Sequence, residues 1–262
     1  MSNSQTKAVA LSKFDESLLT FSELKTGGKG GKFGNIQYNG GKCQFKVPKS
    51  NTFGADEYTS EDGTKQWTIQ VQIKKEDIES DPEMKNTMDG FSRFEKALRE
   101  NAKANGPEYF GNKLKKKQKV SDEFLDASMN PIYKTSVNKE TGEEDGRYHT
   151  FKVKLQPDRK KEGRFSFGAF DSKKEPLELT TENVVDKLQK WGKAKFIIEP
   201  RIYIINGKLG VSWYAYQLLW YEPEGGGPVN PHTRCMIDSS DDEEEEDNDE
   251  DKNELIDDSD SD

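Results

Sequence analysis

Lysines stand beside aromatic residues at short intervals along this chain. Lys42, Lys46 and Lys49 flank Phe45 and Phe53. Lys152 and Lys154 alternate onto one strand face with Tyr148, and Tyr203, Lys208, Trp213, Tyr214 and Tyr216 follow one another later on. Ammonium groups neutralise phosphates and release their condensed counterions. Aromatic faces stack bases, at about 1–3 kcal/mol per base. Together they make the surface that a single-stranded nucleic acid requires, and DNA and RNA both satisfy that chemistry. Alternation also sorts the rings. Phe45, Trp67 and Phe151 fall on the apolar sides of their strands and are expected to pack. Phe33, Phe53, Tyr148 and Tyr203 share a face with lysines or lie in loops, and are the stacking candidates. Lys42, Lys46, Lys49, Lys152, Lys154 and Lys208 are the matching phosphate contacts.

A basic run over residues 113–119, KLKKKQK, adds Lys113, Lys115 and Lys116. Such a run serves as a phosphate contact, a solvated helix edge or a nuclear import signal. Catalytic chemistry has less to work with. His149 sits on the inward side of a strand and is expected to pack, and His232 lies in a Pro/Gly-rich stretch. The sequence holds no Gly-x-Ser-x-Gly elbow, no zinc-deaminase pattern and no metal-ligand cluster. GGKGGKFG, residues 27–34, lacks the Ser or Thr that follows the Gly-Lys of a phosphate-binding loop. The chain is therefore expected to be no enzyme and to carry no cofactor or metal.

Charge is distributed unevenly. Residues 238–262 hold 16 Asp plus Glu and one Lys, a net charge of −15, while the whole chain carries −9. The preceding 237 residues are thus at +6, a basic body behind an acidic pI. The acidic segment has almost no apolar residues and cannot bury enough surface to fold, so it is expected to be a disordered tail. Cys43 and Cys235 make neither a disulfide framework nor a zinc site, which points to a reducing, intracellular compartment. No apolar run is long enough to span a bilayer.

These residues must be positioned by strands. Ile36 and Tyr38 alternate with polar residues up to Asn39-Gly40, a hairpin signal. Cys43, Phe45 and Val47 form a second strand, which Pro48 should end. Trp67, Ile69, Val71 and Ile73 alternate against Gln66, Thr68, Gln70 and Gln72. Pro82 through Ala104 has helical spacing in Met84, Met88, Phe91, Phe94 and Leu98, with Asn105-Gly106 as the stop. A short helix is expected around residues 121–127, then strands over 148–155 and 164–170. Another helix over 182–191 puts Val184, Val185, Leu188 and Trp191 on one side. A long hairpin turns at Asn206-Gly207. Residues 1–30 are expected to be a flexible lead-in, 31–222 the folded domain, 223–237 a linker and 238–262 the tail. Many short strands with one long inserted helix argue for an α+β, mainly β fold: an OB-like antiparallel barrel.

The order of motifs resembles the OB-fold single-stranded DNA-binding proteins of nucleocytoplasmic large DNA viruses, and more loosely phage replication proteins with an acidic tail. It is carried by YNGGKCQFKVPKSNTFG (38–54), EYFGNKLKKK (108–117), NPIYK (130–134), YHTFKVKL (148–155) and IYIINGKLGVSWYAYQLLWY (202–221). Tyr109-Phe110 stands where that pattern often has Trp-Phe; the N-terminal residues and the tail lie outside it. The resemblance implies an OB-like barrel, single-stranded DNA binding without strong sequence preference, and a role in viral genome replication, recombination or repair. It adds Lys134, within NPIYK, to the binding residues. It further implies the host nucleus or a cytoplasmic viral factory as location, with the virion as another. The expected partners are single-stranded DNA or RNA and, through the tail, replication or repair proteins; a homo-oligomer is compatible with the sequence. The competing reading is a chaperone for basic proteins such as histones, in which the tail is the active part.

Overall fold

The computed structural model describes residues 8–27, 30–111 and 119–223. In chain order its strands are β1 (Val9–Ala10), β2 (Leu19–Phe21), β3 (Lys25–Thr26), β4 (Lys32–Tyr38), β5 (Gly41–Lys42), β6 (Phe45–Thr59), β7 (Lys65–Lys74), β8 (Lys134–Val137), β9 (Glu144–Leu155), β10 (Gly168–Phe170), β11 (Lys193–Ile205) and β12 (Lys208–Tyr221). The helices are α1 (Lys75–Ser80), α2 (Pro82–Ala104), α3 (Gly106–Phe110), α4 (Asp122–Ser128) and α5 (Val184–Lys187).

Five of these strands close on themselves. β6 pairs with β7, β7 with β9, β9 with β12, β12 with β11, and β11 returns to β6. Every pairing is antiparallel except that of β9 with β12. The result is a closed five-stranded, OB-like barrel, mostly β, with extra strands and a few helices. β4 extends it beside β11, pairing Tyr203 with Phe33 and Arg201 with Asn35.

The apolar alternation fills the interior. Phe45, Ile69, Val71, Phe151, Val153, Ile198, Ile202 and Trp213 are all buried. α2 packs onto this interior through Phe91 and Phe94, whose rings lie 5.5 and 5.3 Å from the Trp213 ring. It starts where its sequence says it should: Asp81 accepts from the Glu83 N–H at 2.8 Å, and Pro82 occupies the first turn.

β6 does not stop at Pro48. The β6–β11 register shifts between Ser50 and Val47, and this irregularity absorbs the missing N–H of Pro48. A second shift falls at Gly54, where φ is +78° and an added Cβ would sit 2.7 Å from the Leu188–Lys190 backbone. Only glycine fits there, and the bend lets β6 pass from β11 to β7.

Three further expectations are corrected. Residues 8–27 are no loose lead-in: Leu11, Phe14 and Leu19 are buried, and Arg93 on α2 donates to the Phe14 and Ser12 carbonyls. Of residues 164–170 only β10 is strand; Phe165 turns edge-on to Trp67 instead. The helix expected over 182–191 is the four-residue α5. Val184 and Leu188 are buried and Val185 is exposed on the helix itself; Trp191 is exposed because the helix ends before its apolar stripe can extend to residue 191. The linker and tail boundaries lie outside the described residues from 224 onward.

Candidate nucleic-acid interface

The barrel interior takes every second residue, so the outward set of each strand is equally regular. On β9 that set is Thr150, Lys152 and Lys154; on β12, Ser212 and Tyr214; on β11, Arg201, Tyr203 and Ile205; on β4, Phe33 and Asn35. Pairing aligns them across the sheet: Gln70 with Lys152, Lys154 with Tyr214, Ser212 with Arg201, Arg201 with Asn35, and Tyr203 with Phe33. Residues 131–134 wall one side, and Ser22, Glu23 and Lys25 the other. The groove so formed has a volume of about 1010 Å³. Its lining includes the cations Lys25, Lys134, Lys152, Lys154, Arg159 and Arg201, and a single carboxylate, Glu23.

The aromatic rings in this groove are held in place. The Arg201 guanidinium lies 4.3 Å from the centre of the Tyr214 ring, and Lys154 Nζ lies 5.7 Å from it. Burial lowers the Lys154 pKa below the ordinary lysine value, so its charge is poorly solvated within the groove. Tyr203 lies over Gly210, its partner on β12; a Cβ there would come within 2.4 Å of the ring. Asn130 Nδ2 donates to the Tyr203 hydroxyl at 3.1 Å. Phe33 is 48% exposed, and its ring covers Gly27 and Gly31. Cations thus lie between rings that are already oriented, with open aromatic surface beside them.

Of the residues singled out from sequence, Phe33, Lys134, Lys152, Lys154 and Tyr203 meet in this groove. Lys46, Lys49 and Phe53 are on β6, away from it, and Lys42 is on β5. Tyr148 is half-buried where β9 pairs with Lys74, and Lys208 is exposed beside the β11–β12 turn. Lys113, Lys115 and Lys116 lie outside the described residues. Sequence inspection misses Lys25, Tyr133, Arg159 and Arg201. Arg201 alone carries a signal, since it alternates with Tyr203 on a strand; Lys25 and Arg159 reach the groove only through chain folding. His149 is half-buried, with Nδ1 3.2 Å from the Thr135 hydroxyl, and burial lowers its pKa. Among the described residues no three His, Cys, Asp or Glu side chains are grouped to hold a metal ion.

No protein-family model and no curated protein matches the chain. Among solved structures it is similar to gp2.5, a single-stranded DNA binding protein encoded by bacteriophage T7. The identity is 18%, over 83% of this chain and 100% of that one, with a TM-score of 0.43. It is also similar to the single-stranded DNA-binding protein from bacteriophage Enc34 in complex with ssDNA, at 14% identity over 74% of this chain and 93% of that one, with a TM-score of 0.40.

Proposed function

We propose that the groove binds single-stranded DNA without reading its sequence, as a non-catalytic protein that protects exposed strands during viral genome replication, recombination or repair. The observation that carries this is the Tyr214 ring flanked by Arg201 and Lys154, in a groove lined by six cations and one carboxylate. Phosphates satisfy the cations, and unpaired bases lie against Tyr203, Tyr214 and Phe33. A duplex keeps its bases stacked inside and offers those rings nothing.

Residues 238–262, at −15, are a tethered polyanion of opposite charge to the groove. They compete with DNA at the high effective concentration that tethering provides, or recruit basic proteins. The test is one titration series: full-length and tail-truncated protein against oligo-dT and duplex of equal length, across salt. We expect oligo-dT to bind more tightly than duplex, with affinity falling as salt rises. Tail removal tightens binding most at low salt, where screening is weakest. Equal duplex binding, or a salt-independent affinity, contradicts the assignment; a chaperone for basic proteins would instead lose its main activity with the tail.

Gly210 provides a finer test. An alanine there forces the Tyr203 ring off its seat without demanding a forbidden backbone angle. Gly210→Ala is expected to leave the fold intact but weaken oligo-dT binding by about 1 kcal/mol, the lower end of one base–aromatic stack. Fluorescence anisotropy with a labelled oligonucleotide measures this. Unchanged affinity would mean that Tyr203 stacks no base.

A further inference from the structure

Lys46, Lys49 and Phe53 have the composition of a binding surface but lie outside the groove. Their neighbours explain why that composition recurs. β6, the start of β11 and the end of β12 lie side by side, with Lys193 paired to both Asn51 and Tyr221, Ile197 to Lys46, and Lys195 to Leu219. Lys49 Nζ sits 4.1 Å from the Tyr221 ring centre. The Trp191 ring lies 5.5 Å from Phe53. This is a second face on which lysines and open aromatic rings alternate. Of the carboxylates bordering it, Asp77 accepts from the Asn51 amide and the Lys74 N–H, and Glu199 accepts from Gln44.

Trp191 is the unusual member. It is 55% exposed and holds φ at +71°, a conformation that costs a bulky side chain. Its pose is fixed by the backbone. The Trp191 N–H donates to the Thr52 carbonyl at 3.1 Å, and the Gly192 carbonyl accepts from both the N–H and hydroxyl of Thr52. Gly192 packs so closely on Trp220 that an added Cβ would fall 2.2 Å from the ring. The indole packs on Phe53 at one side and leaves 55% of its surface open to solvent, more than packing alone requires. Beside lysines it makes a stacking platform.

The two faces are continuous. Along the outside of β12, Tyr214 in the groove is followed by Tyr216, which is 43% exposed, then Leu219 and Tyr221. Tyr221 lies seven residues beyond Tyr214, a path of about 23 Å. We propose that this face is a second contact surface for the same single strand, which leaves the groove along β12 and stacks a base on Trp191. This rests on the groove being the primary site. A second copy of the chain is a poor occupant, because a self-facing contact would oppose lysine to lysine. The acidic tail is a poorer one than DNA, because carboxylates leave the aromatic rings uncovered.

Tryptophan emission tests this directly, since Trp67, Trp213 and Trp220 are buried and Trp191 is not. The full chain is titrated with oligo-dT of about six and about twenty nucleotides, one near the short end and one past the long end of the roughly 4–16 nucleotides an OB fold covers. Both should bind by anisotropy, but only the longer should quench emission, and Trp191→Phe should abolish the quench. Lys46→Ala with Lys195→Ala should weaken the longer oligonucleotide about tenfold and leave the shorter within about twofold. Equal quenching by both lengths, binding of the longer without quenching, or equal charge effects on both overturns the second surface while leaving the groove standing. Quenching by poly-glutamate but not by oligo-dT overturns it in favour of an acidic peptide. If neither oligonucleotide binds, the groove assignment fails and this one falls with it.

Discussion

Replacing Lys154 and Arg201 together with alanine should weaken single-stranded DNA binding about a hundredfold while leaving the fold intact, each cation supplying on the order of one phosphate contact and its share of a stacked ring. Both side chains approach the Tyr214 ring, at 5.7 and 4.3 Å, so removing them also frees the ring they orient. The slope of log affinity against log salt should become shallower by about 1.4, the value for two phosphates on a single strand. Lys154 adds a pH signature. Burial lowers its pKa, so its charge is lost at lower pH than that of an exposed lysine. Affinity for the polyanion therefore falls as pH rises through that value. The stability contribution has the opposite sign: the folded state releases this proton before the unfolded state does, so stability rises with pH over the same interval. Lys154→Arg should remove both trends. A double variant that binds with wild-type affinity and salt slope would rule this groove out as the phosphate path.

Trp213→Ala should be the most destabilising single change in the barrel, at about 3–5 kcal/mol. Trp213 is 2% exposed and touches two other elements, with Phe91 and Phe94 of α2 and Phe151 of β9 around its ring. Its indole N–H also donates to the Ile132 carbonyl at 3.1 Å, anchoring the segment that walls the groove. Alanine leaves a cavity and an unpaired carbonyl together. Trp67→Ala removes a ring of similar burial, but Trp67 Nε1 has no hydrogen-bond partner among the described residues, so only packing is lost there. Against a typical domain stability of about 5–15 kcal/mol, the Trp213 loss is a large fraction. Urea midpoints of wild type, Trp213→Ala and Trp213→Phe separate the terms, since phenylalanine restores much of the packing and not the hydrogen bond. A loss below about 1 kcal/mol for Trp213→Ala would mean that α2 docks without it.

Local chemistry makes much of the fold legible in the order of residues alone. Trp67, Ile69, Val71 and Ile73 have to face one way because a strand repeats every two residues. α2 begins and ends as Pro82, the preceding Asp81 and the following Asn105-Gly106 require, and Asn206-Gly207 turns the last hairpin. These features depend on neighbours in the chain, and periodicity and turn chemistry report on neighbours. What alternation cannot state is which outward residues share a side of a closed barrel. Lys46 and Lys152 look identical as exposed lysines next to a phenylalanine, yet the pairing of β11 back onto β6 sends them to different faces. Arg201, Lys25 and Arg159 come from three separated segments and meet because β4 adds to β11 and the loops fold over the sheet. Helical spacing puts Trp191 at the buried end of an apolar stripe, and a single tight turn against Thr52 and Trp220 exposes it instead. Sequence by itself determined the charge and the long strands, the long helix and their interior residues, and it misjudged the short elements around Pro48, 164–170 and 182–191. Barrel closure decided which of the outward ones act together, because that proximity is made by hydrogen bonds between strands far apart in the chain.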